Sequence, residues 1–155
     1  MKATPATCTR RIALLRGVST VGWLMVQPVW AQSNDLAAAI NRFTGGKPPT
    51  TGKVTLDISP LVDNGNAVPV TLTVQHSMRA DKHVRSIALF NERNPQSEVA
   101  LFTLGPRAGR ASVATRIRLA TSQKLVAVAQ LSDGSFWQHQ VEVIVTLAAC
   151  IEGDT

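Results

Sequence analysis

Tyrosine is absent from this 155-residue sequence, and its aromatic side chains amount to three Trp and four Phe. So thin an aromatic complement argues against a stacking surface for nucleic-acid bases. Metal-ligand clusters are missing too: His76, His83 and His139 are scattered, without ligand-type partners at i, i+2 or i, i+4. No Gly-x-Ser-x-Gly elbow and no Cys–His pairing is visible. Gly45, Gly46, Gly65, Gly105, Gly109 and Gly134 fit turns and not a phosphate-binding loop. These absences predict no catalytic residues, no metal and no cofactor, so the chain is not read as an enzyme.

Acidic residues are lacking over one stretch. The first 31 residues hold Lys2, Arg10, Arg11 and Arg16 but no Asp or Glu. The formal charge of +6 therefore comes largely from the leader, because from Gln32 onward twelve Lys and Arg face ten Asp and Glu. A nucleic-acid partner loses most of its support. Thr9-Arg10-Arg11-Ile12-Ala13-Leu14-Leu15 is similar to a twin-arginine export motif. A modestly apolar stretch follows to Val26, and Val29 and Ala31 suit cleavage after Ala31. A retained anchor is the competing reading. Its apolar run is about ten residues, however, and a spanning helix needs about 20. Residues 1–31 are thus expected to be a signal peptide and the mature chain to be periplasmic, with no membrane span.

Cysteine is scarce as well. Cys8 falls in the leader, so cleavage leaves Cys150 alone in an oxidising compartment. No disulfide can form within the mature chain. A lone thiol there points to an intermolecular disulfide or to a free reactive group. Cys150 follows the apolar run Val143-Ile144-Val145-Thr146-Leu147 by three residues and lies close to the chain end. A small buried core residue is the alternative, which its position on a terminal tail opposes.

What is present reads as mostly β. Leu36, Ala39, Ile40 and Phe43 share one face of a short helix that Gly45-Gly46 ends. Alternating or apolar runs then predict strands over 54–58, 67–75, 83–90, 97–104, 111–120, 123–131 and 136–147, with turns at Asp63-Asn64-Gly65-Asn66 and Ser132-Asp133-Gly134-Ser135. In the last strand Trp137, His139, Val141, Val143 and Val145 share one face. Arg116-Ile117-Arg118 reads as a solvated edge, with an anion- or partner-facing patch as the alternative. This pattern predicts an all-β fold: an immunoglobulin-like antiparallel β-sandwich with a short N-terminal helix, spanning residues 32–147.

Several segments resemble one family throughout the mature chain and in order. They are Phe43-Thr44-Gly45-Gly46, Asp63-Asn64-Gly65-Asn66-Ala67-Val68-Pro69-Val70, Ser86-Ile87-Ala88-Leu89-Phe90 through Asn94-Pro95, Thr115-Arg116-Ile117-Arg118-Leu119-Ala120, and Ser132-Asp133-Gly134-Ser135-Phe136-Trp137. Together they resemble SoxY, the sulfur-carrier subunit of the periplasmic Sox system that oxidises thiosulfate. The resemblance implies a heterodimer with a SoxZ-like subunit and a flexible C-terminal carrier arm, here 148–155, with Cys150 as the point of covalent substrate attachment. It also implies transient partners: a haem enzyme that loads thiosulfate on the thiol and a hydrolase that releases sulfate. The family's Gly-Gly-Cys-Gly-Gly ending is replaced by Ala148-Ala149-Cys150-Ile151-Glu152. The added Cβ atoms restrict the backbone, and Ile151 puts a β-branched side chain beside the sulfur. A module that uses Cys150 solely for an intermolecular disulfide stays open as the other reading.

Overall fold

The computed structural model describes residues 32–149, so the proposed signal peptide and Cys150 to Thr155 lie outside the described residues. Among the described residues one α-helix, α1 (Gln32–Thr44), is followed by nine strands: β1 (Thr50–Thr51), β2 (Val54–Asp57), β3 (Leu61–Asn64), β4 (Val68–Val74), β5 (Val84–Asn91), β6 (Glu98–Thr103), β7 (Ser112–Ile117), β8 (Gln123–Leu131) and β9 (Phe136–Leu147), with a 3₁₀ turn, Pro106–Ala108, between β6 and β7. They make a two-sheet sandwich. The larger sheet runs β1-β9-β8-β5-β6, with β3 also paired to β9, and the smaller runs β2-β4-β7.

Burial follows strand position. Ile87, Leu89, Leu125, Ala127, Ala129 and Leu131 point between the sheets and meet Leu56, Val70, Leu72 and Leu119 there. The opposite face of β5 and β8 carries Ala88, Phe90, Val126 and Val128, which lie beneath Ala39, Leu36, Ile40 and Phe43 of α1. Covered on both faces, these two strands are continuously apolar over 87–90 and 125–129 and do not alternate there. Phe43 closes the helix contact edge-on, its ring centroid 5.9 Å from that of Phe90 and 5.8 Å from that of Phe136. Such T-shaped pairs add about 0.5–1.5 kcal/mol each beyond the area they bury. Among the described residues no helix is long and apolar enough to cross a membrane.

Two strands depart from the predicted pattern. Residues 61–64, of which Asp63-Asn64 was expected to be turn, form β3 parallel to β9, pairing Leu61 with Ile144, Val62 with Val145 and Asn64 with Leu147. The two-residue β1 also lies parallel to β9, at Trp137 and Gln138. The wholly antiparallel arrangement expected from the sequence therefore gains two parallel pairings. They cover the two ends of the outer edge of β9, which would otherwise present unpaired N–H and C=O groups there. Asp35 falls in the first turn of the helix, where a carboxylate interacts favourably with the helix dipole.

Candidate functional site

β9 is the element that leads to Cys150. Its inward face, Trp137, Val141, Val143 and Val145, packs against the intersheet core. Phe136 turns the other way, beneath the helix. His139 belongs to the structural seam, because its Nδ1 accepts the Leu56 N–H at 3.1 Å and so ties β2 of the smaller sheet to β9. Among the described residues no group of three or more His, Cys, Asp or Glu side chains is placed to hold a metal ion.

The C-terminal end of β9 is held from several sides. Ser122 Oγ accepts the Val145 N–H at 2.9 Å, and Thr146 Oγ1 donates to the Asp63 carbonyl at 3.0 Å. Beyond the strand, the Gly65 N–H donates to the Leu147 carbonyl at 2.8 Å and the Leu119 N–H donates to the Gly65 carbonyl at 2.8 Å. The Ala149 N–H then donates to the Leu119 carbonyl at 3.1 Å. Ala148 is exposed, but Ala149 is buried, with 7% of its surface accessible. Cys150 is therefore bonded directly to a residue that the body holds. Ile151 lies with Cys150 outside the described residues.

The segment that supplies Leu119 is itself braced. Asn94 Nδ2 donates to the Arg118 carbonyl at 2.8 Å, while its Oδ1 accepts the Ala120 N–H at 3.1 Å and Gln123 Nε2 at 2.7 Å. Arg116 and Arg118 are exposed and Ile117 between them is buried, as an alternating edge strand requires. No sequence pattern marked Gly65 or Leu119 as neighbours of the tail. Gly65 stands in a polar turn and Leu119 at the end of an apolar run, and only folding joins them.

The other pole of β9 is basic and aromatic. Lys53 Nζ sits 4.0 Å from the centroid of the Trp137 ring. Burial, and then the charges of Lys53 and Lys82, hold His76 below the ordinary imidazole pKa. In the β8–β9 turn, Asp133 Oδ1 accepts both the Ser135 hydroxyl and its N–H, at 2.7 and 2.8 Å. These bonds hold the carboxyl below its usual range.

With this geometry in place, the chain can be set beside known proteins. A family model described as "Sulfur oxidation protein SoxY" matches residues 40–150, from the middle of α1 through Cys150. The chain belongs to the SoxY family. Among solved structures, the sulfur carrier protein SoxY from Chlorobium limicola f thiosulfatophilum is 27% identical, with a TM-score of 0.61, covering 75% of this chain and 99% of that one. Superoxide reductases share the fold alone. The neelaredoxin from Ignicoccus hospitalis is 19% identical (TM-score 0.54, covering 61% of this chain and 80% of that one). The enzyme from Nanoarchaeum equitans is 14% identical (TM-score 0.53, covering 62% and 100%). No curated protein matches the chain in sequence.

Proposed function

We propose that this SoxY-family chain carries sulfur covalently on the Cys150 thiol while docked on a SoxZ-like subunit in the periplasm. The observation that carries the reading is the family match, which runs through the whole sandwich and ends on Cys150. The Chlorobium relative, a sulfur carrier protein, aligns over nearly its full length. Position supports the same assignment, since the thiol follows directly on Ala149, whose N–H is held by the Leu119 carbonyl beyond the end of β9.

A carrier thiol needs little catalytic equipment. In the loading step the thiol loses its proton, and the sulfur–sulfur bond to thiosulfate forms as two electrons pass to the haem enzyme, leaving Cys–S–S–SO₃⁻. Water then cleaves the terminal S–S bond to the sulfonate group, releasing sulfate and two protons and leaving a persulfide on Cys150. Chemistry resides in the two partner enzymes, and this chain supplies attachment and presentation. The thiolate is the reacting form. Glu152 and Asp154 beside it oppose that form and an anionic substrate, by amounts that salt screens.

Intact mass of the protein from thiosulfate-grown cells, before and after reductant, tests the assignment. A reductant-labile adduct on the peptide bearing Cys150, lost in Cys150→Ser, is the expected outcome. A bare thiol under all conditions sinks it. A Cys150-linked dimer on non-reducing gels, with no monomer adduct, would replace it with the disulfide reading.

A further inference from the structure

Three stretches of chain far apart in sequence meet where β9 ends: the turn at Gly65, the segment at Leu119, and Leu147 to Ala149. Leu119 is fully buried and Gly65 is buried in an otherwise exposed polar turn. The hydrogen bonds run in relay: Gly65 to Leu147, Leu119 to Gly65, and Ala149 to Leu119. Space is as constrained as bonding. A Cβ placed on Gly65 would fall far inside contact with the Leu119 carbonyl oxygen, and would sit 3.0 Å from the Ala149 nitrogen and 3.2 Å from Val145 Cγ1. The backbone of Gly65 is not among those with positive φ, so the turn needs glycine for closeness and not for conformation. Two of the atoms such a Cβ would strike are the acceptor and the donor of the Ala149–Leu119 bond.

We propose that Gly65, acting through Leu119, is a positioning residue for the Cys150 thiol: its missing side chain lets the sandwich grip the chain as far as Ala149. The inference rests on the reading of Cys150 as the sulfur-bearing group. The consequence is a short reach. One Cα–Cα step of 3.8 Å plus the cysteine side chain places the sulfur within roughly 7 Å of the Ala149 Cα. A larger residue at 65 breaks the relay and removes the hold at Ala149. The thiol then searches a larger volume, and its effective concentration at any docked enzyme's active site falls.

A nitroxide attached to Cys150 in the full chain, with Cys8→Ser leaving one thiol, reads this directly. In the unsubstituted protein the label is expected to show a restricted spectrum. In Gly65→Ala the spectrum is expected to shift to fast motion, with amide exchange at Ala149 accelerated at least tenfold, at temperatures where circular dichroism shows the sandwich folded. A merely structural glycine would lower the melting temperature without changing label motion below it. Should Gly65→Ala fail to fold, Ala149→Pro removes the final donor while leaving the turn intact, and the same shift is expected. An unchanged spectrum in the folded variant, or fast motion already in the parent, overturns the proposal. Neither measurement needs sulfur on the thiol. Loss of the carrier reading in the adduct assay and loss of the clamp here are therefore separate outcomes.

Discussion

Replacing Asn94 by Ala tests whether the brace behind Leu119 carries the weight its geometry implies. The carboxamide makes three hydrogen bonds, to the Arg118 carbonyl, the Ala120 N–H and Gln123 Nε2. Each is worth about 0.5–1.5 kcal/mol net, and groups that reach water recover part of the loss. The Arg118 bond is exposed and can be replaced by water, whereas Gln123 is only 5% accessible and keeps just the Thr121 carbonyl, at 3.2 Å, for its amide nitrogen. A total of about 2 kcal/mol follows for Asn94→Ala. Urea slopes for small domains are about 1–3 kcal/mol per molar, so the unfolding midpoint should fall by about 1 M with the slope unchanged. Gln123→Ala supplies the cross-check. Because the two side chains share one bond, the double variant should cost less than the sum of the singles, by about 1 kcal/mol. Strict additivity, or a midpoint for Asn94→Ala within 0.2 M or so of the parent's, would refute the brace.

Two further outcomes follow from the packing and the turn chemistry. Phe43→Ala should cost about 2–3 kcal/mol, less than a fully buried Phe because the ring is half-exposed, and Phe43→Leu should recover much of it. Thermal melts followed by circular dichroism measure this, and a change below about 0.5 kcal/mol would show that the helix is not held by the aromatic contact. The Asp133 carboxyl titrates below its ordinary value because Ser135 donates to it twice. Its contribution is therefore present above the unfolded-state carboxylate pKa and is lost as pH falls through the lowered folded-state value. Asp133→Asn should accordingly flatten the acid arm of a midpoint-versus-pH curve. The effect is modest, because the group is exposed, and identical slopes in parent and variant would remove this turn from the acid response.

Much of the frame was legible in the residues. The helix face of Leu36, Ala39, Ile40 and Phe43 follows from a 3.6-residue period, and those four side chains are the ones that meet the sheet. The last two strands run over 123–131 and 136–147, as their apolar patterns predict. Strands β1 and β3 escaped because two residues cannot show a period, and because Leu61-Val62-Asp63-Asn64 does not alternate and ends on turn chemistry. Their strand geometry comes from pairing with the edge of β9, an interaction absent from any local pattern.

The thiol divides in the same way. Sequence alone determined that Cys150 is the single cysteine between residues 32 and 155 and that it follows the apolar run of the last strand by three residues, because composition and order are properties of the chain itself. It also carried the likeness to SoxY that the family match bears out. Only the tertiary structure decided that the body holds the chain as far as Ala149. Residues 65, 119 and 147–149 are far apart along the chain, and their bonds exist only once β3 and the end of β7 close around β9. Hydrogen bonds between distant backbone groups leave no mark on side-chain identity, except at Gly65, where the mark is the missing Cβ.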